Sequence, residues 1–296
     1  MDKEYIQLCA EIAYNNVILE ADLEDSYDVI INESEKDLSL TDKMIAFFDK
    51  IKNAILTVCK KIQDFIIEKI KELKKRIEEY KKKKEAKQEA TSLTEAIDYT
   101  QAMNDFYNKV IENKLIKSEK EHLNRLHDCV NDIDMWFEKS KDEKEFSNEK
   151  AIYNIEKISK DFIENADKDI ADCSKDQISK DLADTIMSKI DTDEMRSNLP
   201  TNTALNICID ISKRHEKSVR EYISVIDASK KNMQKRFTNL CNTIGGLSGQ
   251  RKTCMSYCRS LVGVYSKSST CLNKLQSGYA QATVLLFKTI PSTFSA

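Results

Sequence analysis

No glycine occurs before Gly245 and no proline before Pro200, so the first 199 residues of this 296-residue chain lack both helix breakers. An interior glycine costs a helix about 1 kcal/mol and a proline about 3, so their absence removes the usual stops. A chain without them cannot easily make the tight turns of a sheet protein. What remains is dominated by Lys, Glu, Asp, Ile, Leu and Asn at helical spacing. This predicts an all-α fold: an elongated helical bundle with coiled-coil-like packing and a C-terminal helical hairpin.

Charge and aromatic content fit that reading. A third of the residues are charged and 7% are aromatic, which is thin for a globule and normal for helices packed along narrow seams. A net charge of −3 gives no global pull toward nucleic acid. The start, Met1-Asp2-Lys3-Glu4-Tyr5, lacks the basic and apolar regions of a signal peptide. No run reaches the 18 or more apolar residues of a spanning helix; the uncharged stretch Leu275 to Phe287 comes nearest. The expectation is a chain cytoplasmic in origin, with no signal peptide and no transmembrane segment. Nine scattered cysteines then read as small buried hydrophobes in a reducing compartment.

Helical periodicity divides the chain. A first helix is expected over 2–33, with Tyr5, Leu8, Ile12 and Val17 on its apolar face. Ser39, Thr41 and Asp42 signal the start of a second. From Leu40 to Lys84, apolar residues recur at steps of three and four, giving one stripe with lysines opposite. A capping-box pattern at Ser92–Glu95 opens a further helix, and a second at Ser118–Glu121 allows a break near Lys117 without requiring one. Helices are expected from about Glu149 to Cys173 and from about Lys175 to Ile190. The polar stretch 191–203 containing Pro200 sets the expected boundary between an N-terminal region, 1–198, and a hairpin region, 199–296. The hairpin turns at Gly245-Gly246-Leu247-Ser248-Gly249.

No constellation of reactive residues assembles a chemistry. Cys254 and Cys258 share one helix face, and Cys241 lies level with them across the hairpin, but a structural zinc site wants a fourth ligand. His127, Asp128 and Cys129 are adjacent, so base and nucleophile diverge by about 100° per residue. His122 and His127 are five apart and miss the spacing of a two-His metal pair. Asp167, Asp169 and Asp172 lack the glycine and terminal Glu of a calcium loop and read as a solvated helix face. The expectation is no catalytic residue, no metal and no cofactor.

The feature with most functional content is therefore the basic amphipathic helix over 40–84. Phe48, Ile51, Ile55, Ile62, Phe65 and Ile66 are its expected contact face. Here Ile18-Leu19-Glu20-Ala21, Ile30 to Ser34 and Ile45 to Leu73 resemble internal virion proteins of tailed phages infecting low-GC Gram-positive bacteria. The resemblance covers roughly residues 15–85 and implies a structural protein without catalytic residues. The expected function is a non-enzymatic assembly protein acting by helix–helix association, with itself or with other structural proteins. The alternative is a membrane-active protein whose amphipathic helix lies in or inserts into a bilayer interface.

Overall fold

The computed structural model describes residues 3–14, 17, 37–87, 101–140, 148–186, 201–241 and 251–289. All their regular structure is helical, as the missing breakers predict. The first helix, α1, covers residues 3–14 and includes Val17 one turn on; the rest of the expected 2–33 helix lies outside the described residues. Helix α2 runs Asp37–Lys87. At 1.5 Å per residue its 51 residues extend about 76 Å. Helix α3 spans residues 101–139, α4 Asn148–Asn165, α5 Lys175–Thr185, α6 Thr201–Cys241 and α7 Arg251–Thr289. The Ser92–Glu95 capping box and the glycine turn at 245–249 fall outside the described residues.

Helix α3 does not break near Lys117. It stays helical throughout, but Tyr107–Ile116 winds as a π-helix. The cause is visible in the spacing of its buried residues Val110, Ile111, Leu115 and Ile116. Pairs five apart would diverge by about 140° on an α-helix, whereas i→i+5 winding, about 4.4 residues per turn, returns them to one face. Ser118 and Glu119, which could have opened a new helix, make no cap there and are buried instead.

The expected helix over 149–173 also changes its winding. Ala166–Cys173 is a 3-10 helix, with Ala166, Ile170 and Cys173 buried. Ser174 then caps α5, its side chain accepting from the Gln177 backbone N–H at 3.3 Å.

Helix α7 is the axis of the bundle. Among its described side chains only Arg251, Lys252, Lys274 and Lys288 are exposed. It packs against α2, α3, α4, the 3-10 turn, α5 and α6. Contacts fix the directions. Phe48 of α2 meets Tyr265 edge-on at 5.2 Å, and Phe287 lies under Arg76 at 3.9 Å, so α2 runs parallel to α7. Tyr257 bonds Asp134 and Tyr279 bonds Glu119, so α3 runs antiparallel. Lys230–Asp49 and Lys52–Asp227 ion pairs set α6 antiparallel to α2.

Two glycines inside α7 mark its closest approaches. A Cβ on Gly263 would sit 3.1 Å from Ile163 of α4, and one on Gly278 would sit 2.6 Å from Leu115 of the π-helical stretch. A glycine in a helix interior is unfavourable, and here it admits a neighbouring side chain. The buried apolar residues form one cluster drawn from both sides of Pro200, so the C-terminal hairpin and the N-terminal helices share a core. Among the described residues no helix is long and apolar enough to cross a membrane.

Candidate functional site

The expected contact face on α2 lies inside this chain. Phe48, Ile51, Ile55, Ile62, Phe65 and Ile66 are all buried. Phe65 packs on Tyr5 of α1 with ring centroids 6.2 Å apart, and Phe48 on Tyr265 of α7. The stripe finds its partner helices in α1, α6 and α7. Ion pairs close the α1 edge, Glu4 to Lys69 at 2.6 Å and Glu11 to Lys61 at 3.0 Å.

What the sequence did not anticipate is a buried polar seam where α7 meets α3 and α6. His122 Nε2 lies 2.8 Å from Ser268 Oγ, and His122 Nδ1 lies 3.6 Å from Asp169 Oδ2. Arg125 holds the other oxygen of Asp169 at 2.8 Å. Asp169 is therefore not on a solvated face: its carboxylate is 5% exposed. Burial holds the His122 imidazole below its ordinary pKa, against the opposing pull of Asp169.

One turn along, Tyr279 donates to Glu119 Oε2 at 3.1 Å, and burial lifts the Glu119 carboxyl to about 7. The Tyr279 ring stands edge-on to His215, centroids 6.0 Å apart. His215 Nδ1 lies 2.8 Å from Gln63 Oε1, and Gln63 in turn donates to Ser212 at 2.8 Å. Burial pushes His215 down to about 4. Toward the other end, Asp134 accepts from Tyr257 at 2.6 Å and pairs with Arg236 at 3.1 Å. Burial raises its carboxyl despite both partners.

Ser268, His122 and Asp169 stand in the order of nucleophile, base and orienting acid. Ser268 is fully buried in mid-helix, where backbone N–H groups are committed to intrahelical bonds. A hollow of about 320 Å³ between the 3-10 turn and α7 is lined by Asp167, Ile170, Ala171, Cys173, Ser174, Lys274 and Ser277, none of the three. The seam links α7 to α3, the 3-10 turn and α6, and within it Glu119 Oε1, His122 Nδ1, Asp169 Oδ2 and His215 Nε2 are buried without a hydrogen bond.

The remaining candidates can be placed. His127 is exposed and Cys129 buried, the divergence their adjacency implies. Cys254 and Cys258 are buried free thiols, and burial raises that of Cys258. The Cys241 side chain lies outside the described residues. Glu119 and His122, three apart, form a Glu-x-x-His pair of the kind found in di-iron bundles, which need a second such pair. Among the described residues no three His, Cys, Asp or Glu side chains converge to hold a metal. Asp167 bridges Lys267 and Lys274 of α7.

Comparison with known protein families, curated proteins and solved structures returned no match.

Proposed function

We propose that this chain is a non-enzymatic structural protein that works by helix–helix association within an assembly; the sequence resemblance suggests an internal component of a phage particle. One observation supports this above the others. The chain spends its apolar residues on helix-long seams, yet large apolar side chains are left over on the outside. Ile6, Tyr14 and Val17 of α1, Met135 of α3 and Tyr153 of α4 are all exposed. Unspent apolar surface on rigid helices is the material of further association. Sedimentation velocity of the purified chain across a concentration series tests the self-associating form. A rising sedimentation coefficient is expected; a compact monomer throughout contradicts it.

A membrane-active role is the second reading, and charge distribution favours it. After Asp227 the chain carries ten Lys and Arg and no Asp or Glu, so α7 is wholly cationic. Its opening from the bundle would present that charge to anionic lipid. Flotation with phosphatidylserine vesicles decides it: chain remaining at the bottom of the gradient removes this reading.

A further inference from the structure

Helix α1 has two apolar faces. Tyr5, Leu8 and Ile12 are buried against the bundle. On the opposite side Ile6 is 48% exposed, Tyr14 66% and Val17 62%. Ala10 and Ala13 between them are also exposed. At 100° per residue Ile6, Ala10, Ala13 and Val17 fall within about 60° of one another, with Tyr14 on the rim.

The order of that stripe reads the same from either end. Steps of four, three and four separate Ile6, Ala10, Ala13 and Val17. A second α1 laid antiparallel, with the two-fold axis between residues 11 and 12, sets each Ile6 level with the partner's Val17. It sets each Ala10 level with the partner's Ala13. The alanines let the two backbones approach closely at the centre, and the larger residues close the ends. The partner's Tyr14 then falls beside Ala10, covering the shallow middle. A surface that complements itself under a two-fold is what an isologous dimer requires.

We propose that α1 is a homotypic docking helix, pairing two copies of this chain antiparallel through Ile6, Ala10, Ala13 and Val17. The proposal rests on the helix-association reading and names its partner as a second copy. Area sets its strength. The exposed parts of these five side chains come to about 400 Å² per copy, or about 800 Å² per pair, below the 1,200 Å² of a stable standard interface. The dimer is therefore weak and dependent on concentration.

The full chain is the test object. Val17→Glu places two charges in the seam and should weaken association at least tenfold by sedimentation equilibrium. The circular dichroism should not change, because Val17 is exposed. The register is tested by the double variant Ala10→Cys, Ala13→Cys under mild oxidation, with the wild-type chain as control for the native cysteines. Level Cβ atoms about 4 Å apart form a disulfide readily, so peptide mapping should recover a bond between residue 10 of one copy and 13 of the other. Only 10-to-10 and 13-to-13 bonds would mean a parallel pair and overturn the proposal. A dimer that persists in Val17→Glu overturns this interface but leaves association standing. A wild-type chain that stays monomeric, with no dimer captured in the double variant, overturns both this interface and self-association.

Discussion

Helices α2 and α7 are both long and both central, yet they hold the core by different chemistry. Helix α2 is one-sided: Met44, Phe48, Ile51, Ile55, Ile62 and Ile66 are fully buried, while Leu56, Lys60, Asp64 and Lys71 are exposed. Helix α7 is enclosed nearly all round, and among its tyrosines and leucines it buries Ser256, Ser268 and Gln276, which bond Glu156, His122 and Ser218 on neighbouring helices. An apolar stripe gains free energy in proportion to area and tolerates small shifts. A buried polar group is satisfied only opposite its partner, and losing that partner costs about 1–3 kcal/mol. Helix α2 thus supplies much of the driving force, and α7 sets the register.

The largest expected effect lies on α2. Phe48→Ala removes a fully buried ring from the contact with Tyr265 and should cost about 3–5 kcal/mol, read from the urea midpoint. A loss below 1 kcal/mol would mean that the stripe is not the source of cohesion.

The seam beside α7 makes the next prediction, through pH. The Glu119 carboxyl is raised from 4.5 to about 7, so the folded chain keeps its proton longer than the unfolded one. Its burial costs stability in full above pH 7, and the cost fades as pH falls to 4.5. His215 is lowered from 6.5 to about 4, so its cost appears as pH falls through that window. The two oppose one another, and each is worth about 3 kcal/mol at its limit. Glu119→Gln should therefore stabilise the chain above pH 7 and leave the acid-side loss from His215 unmasked. His215→Gln should do the reverse, flattening the acid limb. Urea unfolding at a series of pH values reads both; parallel curves for wild type and Glu119→Gln would contradict the account.

A smaller effect belongs to packing between α7 and the π-helical stretch. Gly278→Ala improves helix propensity by about 1 kcal/mol but sets a Cβ 2.6 Å from the fully buried Leu115 side chain, which must shift to admit it. The net result should be a loss of about 1–3 kcal/mol. Leu115→Ala in the same chain should recover part of it, a coupling that a double-mutant cycle measures.

These two helices also show how far the sequence could be read. Helix α2 was legible almost to its ends, expected over 40–84 and found at Asp37–Lys87, because a one-sided stripe writes its period into the residues. Helix α7 showed its length but not its place, since a helix enclosed on all sides has no polar face to announce its orientation. The polar seam was harder still. Glu119 and His122 sit where a stripe running from Leu115 to Leu126 would put apolar residues, and that substitution was a signal. Asp169 gave none: it is 47 residues from His122, and only tertiary folding joins them. The continuous path of α3 was also written in the five-residue step from Val110 to Leu115, which a search for steps of three and four passes over.

Native-state hydrogen exchange tests the central claim, that α7 is the buried axis of one cooperative bundle, most directly. Amides of α7 between Tyr257 and Leu286 should exchange with the same opening free energy as those of α2 between Phe48 and Ile66, both through global unfolding. If α6 and α7 instead open together at clearly lower free energy than α2 and α3, the hairpin is a separate unit and the claim is wrong.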